Sequence, residues 1–597
     1  MSGRNFFRAS AEDFKKIPGS PVAYWVSDTV ASCFLRFGKI SDYAKSSVGL
    51  QTGDNDKFIH MWWEVVFGNI KFDAVTSQDS FQEKRYFPYN KGGVFRKWHG
   101  NNECVVVWRN NGEEIIKNAE RTGHHWQQYA EELKFQPMVT WSRISSGDAA
   151  FRYKPHGYMS DMAGFSVYPQ NAADLPMILG YTNSKPCREF LKFMSPTLNF
   201  MLGQVISLPL CHSDVIRNQV RIVVKRILEI AEDDYAKYET SWDFAANPLI
   251  AVLNSEREKA GDSSGEAASR DQARDGTLQG IYQKVRAGWA ANCEEMRRLE
   301  TENNRIFIEA YGLQDELTPE VPWHEITLTC NPWYRYGVRS ADDGEGAVAT
   351  QELEERLRAD TVKELISYAV GCMMGRYAID KPGLVLANQG ATYEDYLAQI
   401  SEPAFVPDED GIIPILEDDC FADDIVTQFH RFLRVTFGDR NFNANLSFIE
   451  DALGKDLRSY FVKDFYADHL QRYQKRPIYW LFSSPKGTFS ALIYLHRYHP
   501  GTVGQVLGYL RSHITKIQSR VDAADRTAAD SAATQGMKTR AIKERAKLVR
   551  QLKELEDYER DVLHPLAGQR IEIDLDDGVK ANYPKFGKAL RKIPGLE

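Results

Sequence analysis

The sequence predicts an α+β chain of several domains, a mixed strand-rich domain followed by mainly helical ones that include a long helical hairpin. Three observations predict it. Short β-branched and aromatic runs separated by Gly, Asn and Pro clusters fill the first third, apolar residues at three- and four-residue spacing fill the middle, and a paired helical pattern sits near the end. A length of 597 residues suits roughly three to five domains.

Residues 1–45 read as a connector that enters a short helix, Tyr24 to Phe37, after the break Ile17-Pro18-Gly19-Ser20-Pro21. Residues 46–210 read as the strand-rich domain, with strands at Cys104 to Trp108 and Phe165 to Tyr168. Residues 211–318 read as a helical spacer of two or three long helices, with a polar, mobile insert at 256–277. From 319 to 502 the pattern is mainly helical, with helices at Thr350 to Tyr377, Asp424 to Phe437 and Leu457 to Gln474, and a β-hairpin at 478–494. Residues 503–564 carry Leu507, Leu510, Ile514, Ile517 and Val521, then Leu548, Leu552 and Leu555, at helical spacing, which predicts an antiparallel hairpin split near Gly536. A tail at 565–597 completes the chain.

With 43% apolar and 26% charged residues, 41 Gly and 24 Pro, the composition excludes wholesale disorder and collagen. The net charge of −8 excludes a chain that coats nucleic acid along its whole length. Eight dispersed cysteines with no CxxC pair exclude a disulfide scaffold and predict a reduced, cytoplasmic protein. No apolar run is long enough to span a bilayer, so no membrane partner is expected.

Charge is unevenly distributed. Between Phe81 and Tyr158 there are 12 Lys/Arg against 8 Asp/Glu, and 14 aromatics in 78 residues. Lys84, Arg85, Lys91, Arg96, Lys97, Trp98, Arg109, Arg143, Arg152 and Lys154 fall on turn-rich segments, a placement suited to side chains that reach phosphates and base edges from loops. A solvated basic face over an aromatic core would show the same composition.

Asn331-Pro332-Trp333-Tyr334 resembles the Asn-Pro-Pro-aromatic tetrapeptide of amino-group DNA methyltransferases, in which Asn and a backbone carbonyl hold an extrahelical base. A strand at Glu325 to Cys330 would suit it. The second Pro is missing, however, the chain contains no Phe-x-Gly-x-Gly, and Gly344-Glu345-Gly346 follows the tetrapeptide in an acidic loop. The acidic residues Asp408-Glu409-Asp410, Glu417-Asp418-Asp419 and Asp423-Asp424 read as a solvated loop at a helix N-terminus. His124-His125 and Cys211-His212 lack a third ligand at suitable spacing, so neither a metal nor a catalytic residue is assigned.

Several segments, in order, carry one resemblance: Gly49-Leu50-Gln51-Thr52-Gly53-Asp54, Tyr86-Phe87-Pro88-Tyr89-Asn90-Lys91-Gly92-Gly93-Val94-Phe95-Arg96-Lys97-Trp98-His99-Gly100-Asn101, Val139-Thr140-Trp141-Ser142-Arg143-Ile144-Ser145-Ser146-Gly147, Ile178-Leu179-Gly180-Tyr181-Thr182-Asn183-Ser184 and Ser195-Pro196-Thr197-Leu198-Asn199-Phe200. Tyr311 to Leu317, Tyr368 to Tyr377, Lys475 to Trp480 and Arg570 to Val579 extend it almost to the C-terminus. The series is similar to the C-terminal half of PglX-type (BrxX-type) adenine-N6 DNA methyltransferases of BREX phage-defence systems.

The resemblance implies a target-recognition domain at 46–210 that reads double-stranded DNA. It implies a partner N-terminal methyltransferase half supplying the catalytic motifs and S-adenosylmethionine, with no cofactor in this chain and no methylation by this chain alone. It adds Ser145 and Ser146 to the DNA-contact set, and names other BREX proteins and phage-encoded DNA mimics as partners. Two alternatives stay open: a DNA-cleaving restriction subunit, for which Glu132-Leu133-Lys134 is a Glu-x-Lys match in helix-like sequence without an evident partner carboxylate, and an interaction scaffold built on the helical hairpin.

Overall fold

In the computed structural model the described residues are 17–19, 25–145, 147–262, 276–338 and 348–596. The chain divides into two compact units, one formed by Met1–Trp62, Asn69–Ser241 and Arg286–Glu354, the other by Trp63–Gly68, Trp242–Val285 and Glu355–Glu597.

Among the described residues the first unit carries ten strands: β1 (Gly38–Lys39), β2 (Ala44–Ser47), β3 (Ile59–Met61), β4 (Tyr86–Asn90), β5 (Cys104–Val107), β6 (Met138–Ser142), β7 (Phe151–Lys154), β8 (Met159–Ser160), β9 (Gly164–Pro169) and β10 (Pro209–Leu210). They form sheets of order β2-β9-β6-β7 and β3-β5-β4-β8, plus the pair β1-β10. β4 and β5 run almost wholly apolar and are buried on both faces, as central strands are. Asn90 ties the two sheets together: its Nδ2 donates to Thr140 Oγ1 of β6 at 2.6 Å and to the Gly164 carbonyl of β9 at 3.2 Å. A Cβ at Gly164 would lie 2.5 Å from that Nδ2, so glycine is required there.

The Leu175–Thr182 helix packs on the Asp214–Tyr235 helix. Gly180 permits the approach, since a Cβ would stand 2.6 Å from Val220 Cγ1. Ser213 caps the second of these helices by accepting from Ile216 N.

In the second unit β11 (Ile412–Pro414) and β12 (Tyr479–Ser483) flank β13 (Ser490–Tyr494) in an antiparallel sheet. The predicted hairpin is therefore present, with a third strand the sequence pattern did not show. Helices Thr502–Ala529 and Gln535–Tyr558 pack as a pair along Ile517, Val521 and Ala524 and along Ala541, Leu548 and Leu555.

Several expectations change. The long hairpin breaks at 530–534, where Thr534 accepts from Met537 N, and Gly536 lies inside the second helix. Leu457 to Gln474 is two helices, Leu457–Lys463 and Phe465–Arg472, parted at Asp464. Of the insert at 256–277, the residues to Asp262 continue the Pro248–Asp262 helix, and 263–275 lie outside the described residues. Glu325 to Cys330 forms no strand: Trp323–Glu325 is a 3-10 turn and irregular chain follows. The acidic stretch is not simply solvated. Asp424 is buried, caps the Ile425–Phe437 helix and pairs with Arg458 at 2.9 Å, and Asp408 is buried beside Arg497.

Among the described residues no helix is long and apolar enough to cross a membrane, and no group of three or more His, Cys, Asp or Glu side chains could hold a metal ion.

Candidate nucleic-acid interface

The structure gathers most of the sequence-predicted contact residues into two sets and leaves Lys84 and Arg109 apart from both. The first is buried. Arg96 donates from Nη2 to Asp234 at 2.8 Å, from Nη1 to Thr329 Oγ1 at 2.7 Å and from Nε to the His99 carbonyl at 2.9 Å. Lys97 Nζ pairs with Glu300, and Trp98 Nε1 donates to the other oxygen of that carboxylate at 2.7 Å. Arg152, fully buried, donates to the Arg96 carbonyl at 3.1 Å and to Ser142 Oγ at 3.1 Å. Lys154, also fully buried, donates to the Gly100 carbonyl at 2.8 Å, to the Asn101 carbonyl at 3.1 Å and to Asn102 Oδ1.

Burial leaves its mark on their titration. It pushes the Arg152 guanidinium down to about 10 and, with the Arg152 charge adding to it, the Lys154 ammonium well below the usual lysine range; among the described residues no acid pairs with either, and carbonyl, amide and hydroxyl oxygens receive their protons. Arg96 goes the other way: burial pulls its guanidinium down, but the Asp234 carboxylate, together with Tyr334 and Tyr235, raises it above the usual arginine value. Five expected DNA contacts, Arg96, Lys97, Trp98, Arg152 and Lys154, are thus framework side chains with their polar atoms turned inward. Arg85 is also engaged, donating from Nε and Nη2 to both oxygens of Glu114 at 3.2 and 2.9 Å.

The charge count of this window is altered accordingly. Arg96, Lys97, Lys134, Arg152 and Lys154 are five of its twelve basic residues, and none of its eight acids is buried. Lys134, of the Glu132-Leu133-Lys134 match, donates to Asn111 Oδ1 at 3.1 Å, Gln128 Oε1 at 3.0 Å and Glu131 Oε2 at 2.7 Å, which removes it from nuclease chemistry.

The second set lies at a rim where four segments distant in sequence, around residues 93, 144, 163 and 199, are stitched together. Ser142 Oγ at the end of β6 donates to the Gly93 carbonyl at 2.9 Å, Arg143 N to the Ala163 carbonyl at 2.8 Å, Ser145 N to the Leu198 carbonyl at 3.1 Å and Phe200 N to the Arg143 carbonyl at 2.8 Å. Gly92 turns the first loop at φ +80°, where a Cβ would meet the Ala163 carbonyl oxygen at 2.8 Å. Out of this backbone frame project Val94, Ile144 and Leu198, which are 70%, 66% and 54% exposed. Lys91, Arg143 and Ser145 lie beside them, half-buried. Arg143 rests 5.9 Å from the Phe165 ring, and Ser145 Oγ donates to the Asp148 carbonyl at 2.9 Å. Ser146 lies outside the described residues. Lys84 is half-buried, and Arg109, 3.6 Å from Glu114, is exposed away from these loops in sequence.

Sequence reasoning missed the apolar trio. Val, Ile and Leu read as core formers by type, and only the fold shows that these three are exposed.

Asn331 does not resemble a base-holding residue in its contacts. Its Nδ2 donates to the Trp323 and Ile326 carbonyls, both at 2.8 Å, its Oδ1 accepts from Trp333 N at 3.2 Å, and the Tyr334 hydroxyl donates to the Phe95 carbonyl at 2.5 Å. The tetrapeptide closes a loop around its own amide.

No protein-family model matches the chain. It is 34% identical over 596 residues, 97% of its length, to the adenine-specific methyltransferase PglX of Lacticaseibacillus casei (strain Zhang), 45% of which is covered. It is 34% identical over 616 residues, 100% of its length, to the adenine-specific methyltransferase BrxX of Escherichia coli O9:H4 (strain HS), 47% of which is covered. Along essentially its whole length the chain is similar to these two methyltransferases, and it spans about half the length of the curated relatives it matches.

Proposed function

We propose that this chain is the DNA-recognising, C-terminal half of a site-specific adenine-N6 methyltransferase of a phage-defence system. The observation that carries the reading is the rim, where loops around residues 93, 144 and 199 are fixed to one another through the main chain while Val94, Ile144 and Leu198 stand free. Rigid loops with exposed apolar side chains suit thymine methyl groups in the major groove or a base step to be wedged, and Lys91 and Arg143 supply adjacent donors.

The relatives are named adenine-specific methyltransferases, so the donor in the complete enzyme is S-adenosylmethionine. Asn331 to Tyr334 does not fit a role beside it, because the Asn331 amide is already bonded on both sides. The chain therefore positions DNA for a partner methyltransferase half. Cytoplasmic location and binding by phage-encoded DNA mimics follow from the same reading.

Selection from a pool of random duplexes tests it. The chain enriches one asymmetric site, and Val94→Ala/Ile144→Ala loses that enrichment while keeping its bulk duplex affinity. No enrichment by the unaltered chain overturns the reading.

A further inference from the structure

We propose that the outward face of the Gln535–Tyr558 helix is a sequence-independent binding surface for the phosphate backbone of duplex DNA. The inference rests on the reading above in taking duplex DNA as partner, and deepens it by locating the charge that the recognition unit keeps inside.

The helix carries seven Lys/Arg, all between residues 538 and 553, against four acids, Glu544, Glu554, Glu556 and Asp557, three of which lie at its C-terminal end, in a chain whose acids outnumber its bases by 82 to 74. Almost all of this stretch is exposed. Only Ala541 and Leu548 are buried, against the neighbouring Thr502–Ala529 helix, so the stripe that holds the arm together is narrow. Lys543, Arg550 and Lys553 recur at seven- and three-residue spacing; Arg550 and Lys553 lie opposite that stripe, and Lys543 stands at the edge of the groove that Glu417, Asp418 and Arg520 line. At 1.5 Å rise per residue they span about 15 Å of helix, enough to face roughly four phosphates of one strand.

Internal ion pairs account for the flanking cations. Arg545 pairs with Asp525 at 2.5 Å, Lys547 with Glu417 at 3.3 Å, and Arg520 with Glu544 at 3.2 Å. Among the described residues Lys538, Arg540, Lys543 and Lys553 have no acidic partner, and Arg550 bonds from Nε only to the Ala546 carbonyl. Uncompensated cations on one exposed face are electrostatically complementary to a polyanion. A membrane-seeking helix would keep a broad apolar face free; here the main apolar stripe is packed, and the large apolar side chains left exposed, Met537, Ile542 and Val549, are scattered among the cations.

The test uses the 597-residue chain and a duplex of arbitrary sequence, with affinity measured by fluorescence anisotropy across a salt series. Lys543→Gln/Arg550→Gln/Lys553→Gln should bind about ten-fold or more weakly near 0.1 M salt, with a log–log slope shallower by about two to three. A control removes the same charge from exposed, acid-paired lysines elsewhere, Lys45→Gln/Lys117→Gln/Lys192→Gln, and should keep wild-type affinity and slope. Thermal melts confirm that both variants fold. Wild-type binding by the hairpin variant, or equal loss in the control, overturns the hairpin inference and leaves the recognition reading standing. Absence of any duplex binding by the unaltered chain sinks both. Tighter binding of the unaltered chain to anionic phospholipid vesicles or to polyglutamate than to duplex also overturns it.

Discussion

Arg96 and Asp234 meet at 2.8 Å with both side chains less than a tenth exposed, and the same carboxylate accepts from the backbone N–H groups of Thr329 and Cys330 at 2.7 and 3.0 Å. One ion pair thus clasps a loop of the strand-rich region, the Asp214–Tyr235 helix and the chain leading to Asn331. Arg96→Ala strands a buried carboxylate and should cost about 3–5 kcal/mol, read by chemical denaturation. Arg109→Ala, at an exposed side chain of the same window, should stay within about 0.5 kcal/mol. Equal effects at the two positions would show that Arg96 has no structural role.

The rim depends on Gly92, whose positive φ and 2.8 Å approach to the Ala163 carbonyl leave no room for a side chain. Gly92→Ala should destabilise by about 1–3 kcal/mol through backbone strain. It should also disturb amide resonances around Arg143 and Ala163 before those of β2. An unshifted spectrum there would show that the loops are not coupled.

His99 is buried beside Lys154 and Arg96, and burial first, then those two cations, pushes its imidazole down to about 3. Its folded value lies below its unfolded one, so the folded state refuses a proton that the unfolded chain accepts. This contribution is complete above about pH 6.5 and is lost as pH falls toward 3. Near pH 5 the loss should be about 2 kcal/mol, and His99→Gln should flatten the stability profile between pH 6.5 and 5. A slope unchanged by the substitution would place the titration elsewhere.

Asp408 behaves oppositely. Burial, then the hydrogen bond and charge of Asp410, push its carboxyl up to about 8, with Asp423 adding to the effect and the Gly411 N–H opposing it. The folded chain holds a proton there that the unfolded chain releases near pH 4. Stability from this group is therefore greatest at low pH and falls as pH rises to about 8. Asp408→Asn, which keeps an acceptor for the Gly411 and Ile412 N–H groups, should be more stable than the parent at pH 7 by about 1–3 kcal/mol and indistinguishable from it near pH 4. A destabilised Asn variant at pH 7 would refute the assignment.

Local features were legible in the sequence to the extent that they are local. Cys104 to Val107, Gly164 to Pro169 and the Tyr479–Tyr494 hairpin are strands because β-branched and aromatic runs end at turn residues. Ile412–Pro414 is a strand only because Ile493 and Leu492 pair with it, and three residues carry no period. The fate of the basic residues was invisible for a similar reason. The acids that draw Arg96 and Lys97 inward lie 138 and 203 positions away, and spacing cannot announce such partners. The exposed rim residues were passed over because composition ranks Val, Ile and Leu as core formers.

The rim loops are tied by peptide groups and one serine, and the side chains at 94, 144 and 198 take no part in those ties. Their identity can change without loosening the frame that presents them. The surface is therefore an editable one: substitution libraries confined to these three positions should yield folded variants of altered sequence preference, whereas libraries at the neighbouring Arg96, Lys97 or Arg152 should yield mostly misfolded chains.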